Sequence, residues 1–152
     1  MAKEIIRTIL VPTDFSDGAG RALNWARGLA RAFGAEITLL HVADLAVAWL
    51  PVGGLGAVPA PPSSEFVERF NQTAQAALDG TAAEIREVTQ RLLRHGHPRE
   101  IILQVAGEVG ADMIVMGTHG RRGFSHLFLG SVAEHVVRQS PIPVLTVRTP
   151  EP

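Results

Sequence analysis

The chain has 152 residues, a net charge of −1 and no cysteine. That length suits one domain, which at this size buries roughly 70% of the surface its unfolded form exposes and needs no covalent staples. The missing cysteines exclude a disulfide framework, a thiolate metal site and a cysteine nucleophile, and the near-neutral balance lacks the basic excess of a nucleic-acid binder.

The first apolar run is broken by Arg7 and is too short for a signal peptide or a membrane span. A cytoplasmic protein without a membrane or nucleic-acid partner is expected. Residues 5–11 are rich in β-branched side chains and stop at Pro12, which predicts a buried strand. Ser16 or Asp17 is placed to cap a helix, and Ala19, Leu23, Ala26 and Ala30 give it an apolar face. Gly34 ends that helix, and residues 36–42 form the second strand. Residues 51–62 mix glycine and proline without a period and predict an exposed, flexible loop. Gly53, Gly54 and Gly56 follow no strand and open no helix, so they do not make a dinucleotide fingerprint.

Ser63 or Ser64 starts a longer helix reaching to about residue 86, with Phe66, Phe70, Ala74, Ala77 and Ile85 on its inner side. Residues 88–94 have a helical alternative, but a strand is preferred, because a crossover must return before the next helix and Gly96 marks a turn. Pro98 suits the first position of a helix over 98–109, which Gly110 ends. Residues 112–116 are an apolar strand, Gly130 and Ser131 open a last helix to about residue 139, and 144–148 close the domain as an edge strand. The alternation predicts an α/β fold: a single domain over 1–152 built on an open, twisted, five-stranded parallel sheet with helices on both faces. Ligands of such sheets bind beyond the carboxyl ends of the strands, where the strand order switches direction.

The richest such loop spans 117–131. Its glycines let backbone N–H groups approach an anion, and Gly130-Ser131 stands where a helix start leaves N–H groups without internal partners. Each such helix-end interaction contributes roughly 0.3–1 kcal/mol when exposed. Arg121 and Arg122 read better as solvated charges than as a phosphate clamp, and Leu127, Phe128 and Leu129 as anchors for the loop. His95 and His97 have a ligand-like spacing, but no carboxylate or cysteine lies beside them in sequence.

The spacing is Gly117, two residues, Gly120, nine residues, then Gly130-Ser131. This pattern resembles the ATP-binding motif of the universal stress proteins. The resemblance extends over nearly the whole chain, through residues 9–16, 39–42, 113–117 and 143–147. It implies the Rossmann-like strand order 3-2-1-4-5 and an ATP site. Gly117, Gly120, Gly130, Ser131 and Val132 would hold phosphates. Pro12, Thr13 and Asp14 would lie beside the nucleoside, and Val42 would meet adenine through its backbone. Met116 and His119 complete the expected site. The implied cofactor is ATP with Mg2+. The implied partners are an adenine nucleotide, a protein of unknown identity and a second copy joined through Val144–Val147.

The function expected is a nucleotide-dependent stress-response or signalling module, since no catalytic group is recognisable. The alternative is a slow ATP hydrolase or phosphotransferase at the same site, with Asp14 helping to hold a metal and His119 orienting a water. The chain lacks both the Gly-x4-Gly-Lys-Ser/Thr loop and the protein-kinase signatures. Adenylating enzymes of related fold and flavodoxin-like proteins place their phosphate loop after the first strand, which here reads Pro12-Thr13-Asp14-Phe15-Ser16. A valine at 130 is expected to obstruct phosphate approach while leaving the core intact.

Overall fold

A computed structural model describes residues 6–48, 61–119 and 129–149. The elements run β1 (Thr8–Pro12), α1 (Asp17–Phe33), β2 (Glu36–Ala43), α2 (Leu45–Ala48), α3 (Ser64–Ala82), β3 (Val88–His95), α4 (Pro98–Glu108), β4 (Met113–Gly117), α5 (Ser131–Gln139) and β5 (Val144–Val147). The five strands are parallel in the order β3-β2-β1-β4-β5. The chain therefore walks outward from β1 to β3, then jumps back across β1 to β4. The loops leaving β1 and β4 diverge to opposite faces, which opens a crevice between them.

Alternation along each strand divides the core in two. Ile9, Val11, Ile37, Leu39 and Val115 face α1 and α3, whereas Leu10, Leu40, Ile114 and Met116 face α4 and α5. Most of these side chains are wholly buried. Each contributes roughly 1.5–3 kcal/mol of hydrophobic free energy relative to exposure, and together they hold the strand ends that carry the loops.

The helix starts follow their sequence. Ser16 caps α1, its Oγ accepting from the Ala19 amide at 3.3 Å, and Gly34 closes it at φ 69°. Ser63 caps α3 by the same device. His97 caps α4 through Nδ1, with Pro98 in the first turn, and among the described residues the 95/97 pair belongs to no group of three or more possible metal ligands. Helix α3 ends at Ala82, short of the predicted residue 86. The Ile37 amide bonds the Glu87 carbonyl at 2.7 Å, so the chain must already be extended there and the helix has to stop earlier. Of the predicted loop over 51–62, only Pro61 and Pro62 are among the described residues. Before it stands the short helix α2, which is not among the predicted elements; Asp44 starts it by accepting from the Ala46 amide at 3.1 Å.

The two sheet edges differ. On β3, Gln90 and Arg91 are exposed, and Arg94 pairs with Glu108. The other edge, β5, is four residues long and reads Val-Leu-Thr-Val, as predicted for the terminal strand.

Candidate functional site

At the carboxyl ends of β1, β2 and β4 lies a cleft of about 930 Å³, within the range of small-molecule sites. Of the eleven residues predicted for the site, ten line it: Pro12, Thr13, Asp14, Val42, Met116, Gly117, His119, Gly130, Ser131 and Val132. Gly120 lies outside the described residues, as do Arg121, Arg122, Leu127 and Phe128. Leu129 also lines the cleft and is 36% exposed, so it does not anchor the loop in the core.

The turn after β1 is held by its own polar groups. The Thr13 amide donates to the Leu40 carbonyl at 2.8 Å, and the Thr13 hydroxyl accepts from the Phe15 amide at 3.0 Å. Asp14 Oδ1 accepts from both the amide and the hydroxyl of Ser16, at 3.0 and 2.5 Å. These bonds hold Phe15 at φ 64°, a left-handed conformation costing on the order of 1–3 kcal/mol for a bulky residue. The Phe15 ring lies 4.5 Å from that of His41, whose Nδ1 is 2.8 Å from the Thr13 carbonyl. A carbonyl only accepts, so Nδ1 carries the proton. Thr13 and Asp14 thus stiffen the turn as well as facing the cleft.

The turn after β4 is governed by close backbone approach. A Cβ on Gly117 would stand 3.0 Å from the Gly18 carbonyl carbon and 3.3 Å from the Ala19 nitrogen, so glycine lets β4 press against the start of α1. A Cβ on Gly130 would meet the Thr118 carbonyl oxygen at 2.9 Å, because the Gly130 amide bonds that same oxygen at 2.7 Å. This overturns the expectation for a valine at 130: its first contact is with the protein's own backbone, and the scaffold is disturbed before any ligand is.

Helix α5 begins without a side-chain cap. Gly130 is the capping residue, and Ser131 is an exposed first-turn residue, not the cap. Helices α1, α3 and α4 each have a side-chain acceptor at this point. Among the described residues the first-turn amides of α5 meet no side-chain cap, and the positive end of the helix dipole lies at the edge of the cleft.

Sequence reasoning passed over several lining residues. Thr118 is buried, bonds the Val147 carbonyl through its amide at 3.1 Å and places its hydroxyl 2.9 Å from His119 Nδ1. The other ring nitrogen, Nε2, is sealed from solvent and has no partner among the described residues. His41, Phe70, His97 and Arg99 also line the cleft. They come from β2, α3 and the start of α4, and no local pattern announces that the sheet brings them together. Among the described residues no group of three or more His, Asp or Glu is arranged to hold a metal ion, and no helix is long and apolar enough to cross a membrane.

An open doubly wound α/β domain with a cleft at its topological switch point defines the class. The family follows from comparison: residues 6–148 match the model of the universal stress protein family, and the chain belongs to that family. It is 31% identical to the universal stress protein MJ0577 of Methanocaldococcus jannaschii, with 93% of this chain and 94% of the relative covered. The solved structure of MJ0577 superimposes with a TM-score of 0.79, covering 97% of this chain and 99% of that one. A universal stress protein of Thermus aquaticus is 37% identical, covering 95% of this chain and all of the relative. The structure of the universal stress protein from Archaeoglobus fulgidus in complex with dAMP is 26% identical with a TM-score of 0.61, covering 93% of this chain and 98% of that one.

Proposed function

We propose that the cleft binds an adenine nucleotide, ATP in particular, and that the protein acts as a nucleotide-dependent stress-response module. The observation that carries this reading is the uncapped first turn of α5 opening into the cleft beside the close-packed backbone of Gly117 and Gly130. Backbone donors with no side-chain acceptor satisfy an anion at little reorganisation cost. The dAMP complex of the Archaeoglobus relative supports an adenine ligand.

In this reading phosphates lie against Gly117, Gly120, Gly130, Ser131 and Val132, with His119 beside them. Pro12, Thr13 and Asp14 border the nucleoside above the Met116 floor, and the Val42 backbone meets the base. Bound magnesium would offset phosphate charge. The output is occupancy, read by a protein partner in the cytoplasm, and not turnover.

Calorimetric titration of Mg-ATP into wild type, Ser131→Ala and Ser131→Pro tests this, with product analysis on the same samples. Proline fits the first position of a helix but removes one N–H. The alanine variant should stay close to wild type, while the proline variant should lose about tenfold in affinity, the size of one charge-assisted hydrogen bond, with ATP recovered intact. Absence of ATP binding to folded wild type would overturn the reading, and steady hydrolysis lost in the proline variant would favour the ATPase alternative.

The same reading includes a homodimer through β5, whose short apolar edge calls for cover. Light scattering at micromolar concentration should give twice the 16.3 kDa chain mass; a monomer mass would contradict it.

A further inference from the structure

Six of the eleven described arginines are paired with carboxylates. Arg27 and Arg31 face Glu87, Arg69 faces Glu65, Arg91 faces Asp79, Arg94 faces Glu108 and Arg138 faces Glu134. Of the described arginines without a carboxylate, Arg7, Arg21, Arg86 and Arg148 are exposed to water. Arg99 differs from both groups. It is half-buried and lines the cleft, its Nε is sealed from solvent, and its guanidinium has no hydrogen-bond or ion-pair partner among the described residues.

Its place in the fold is equally specific. Ala43 pairs with His95 across β2 and β3, and the Gly96 amide reaches the Ala43 carbonyl at 3.3 Å. The first turn of α4 therefore rests over the end of β2, next to Val42. The first turn of α5 comes after β4, on the other side of β1. The same cleft is lined by Val42, Phe70, Ala74, Ala77 and Ile102, apolar walls suited to a flat ring. A nucleotide with its phosphates on α5 would present its base here, so a role for Arg99 toward that base rests on the nucleotide reading of the cleft.

A guanidinium donates five N–H bonds and accepts none. Adenine offers N7 beside an amino group, which is itself a donor. Guanine and hypoxanthine offer N7 beside the carbonyl O6, two acceptors that match the fork of an arginine. We infer that Arg99 is a base-reading residue of this cleft and that it draws 6-oxopurine nucleotides into a site that also takes adenine. Shape and the apolar walls admit any purine, and the arginine favours those with two adjacent acceptors.

The test is calorimetric titration of the magnesium complexes of ATP, GTP and ITP into wild type, Arg99→Met and Arg99→Lys. All three ligands carry the same triphosphate, so the α5 contacts stay constant. Methionine keeps the length and apolar stem, and lysine keeps the charge but loses the fork. Circular dichroism on each variant establishes folding. The expected result is that wild type binds GTP and ITP, and that both variants lose about tenfold or more for these two ligands while ATP changes much less. Equal losses for all three nucleotides would overturn the proposal, because the guanidinium would then be meeting phosphate or ribose. Unchanged GTP and ITP affinity in Arg99→Met, or wild type that binds ATP alone, would overturn it too. Each of these outcomes leaves the nucleotide reading standing, whereas wild type that binds no nucleotide removes both.

Discussion

At the amino end of the sheet, carboxylates face backbone amides and arginines. Asp112 Oδ2 accepts from the amides of Arg7 and Thr8 at 2.8 and 3.0 Å, and the Asp112 amide returns a bond to the Thr8 carbonyl. Glu87 accepts from Arg31 at 2.6 Å, with Arg27 at 3.9 Å as a charge neighbour too distant for a hydrogen bond. The carboxyl end of the same strands is built otherwise. Glycine backbones crowd there, α5 starts uncapped, and Arg99 and one nitrogen of His119 find no partner among the described residues. A buried polar group left unpaired costs about 1–3 kcal/mol. At the amino end the two atoms without a hydrogen bond, Arg27 Nε and Glu87 Oε2, at least face each other as opposite charges, whereas the unpaired nitrogens of Arg99 and His119 at the other end meet no carboxylate among the described residues and are left for a ligand to satisfy.

The largest expected effect that tests this contrast is at Gly117. Valine there would push β4 off the backbone of Gly18 and should lower stability by about 2 kcal/mol or more, read from urea unfolding, with nucleotide affinity lost alongside. A loss below about 0.5 kcal/mol, the scale of an ordinary surface change, would show that the crowded end separates easily and would break the comparison. The smaller effect is at Glu87. The hydrogen bond from Arg31, then its own backbone amide and the charges of Arg31 and Arg27, hold its carboxyl below the ordinary value of 4.5 against a weaker opposing effect of burial. A carboxyl lowered on folding stabilises above its unfolded value and loses that contribution as pH falls through its folded value. Wild type should therefore melt above Glu87→Gln at pH 7, with the gap closing as pH drops below 4.5, while ATP affinity at pH 7 stays the same in both. A gap that persists in acid, or an affinity change, would show that the amino end is not independent of the cleft.

Much of the fold was legible because its signals are local. β-Branched runs mark β1, β2, β4 and β5, and Ser16, Ser63 and Pro98 mark helix starts. The end of α3 was not, because residues 83–86 are compatible with helix and the bond from Ile37 to Glu87 decides against it. Nor was α2, a four-residue element with no room for a period. In the site, the spacing of Gly117, Gly130 and Ser131 was visible, but not the reason for it. Gly117 is glycine because α1 packs against it, and Gly130 because the Thr118 carbonyl does. Arg99, His41 and Thr118 were invisible as a group, since only the order of the strands places them around one cleft.

The unlike edges of the sheet also set how far it can grow. Two copies joined along β5 would share one continuous sheet, and both of its outer margins would then be β3. That margin carries Arg91 paired with Asp79 and Arg94 paired with Glu108, so a third copy would have to crowd or break these ion pairs to add a strand. In such a dimer the two apolar edges would be used up on each other, and only margins of paired charges would remain for a further copy.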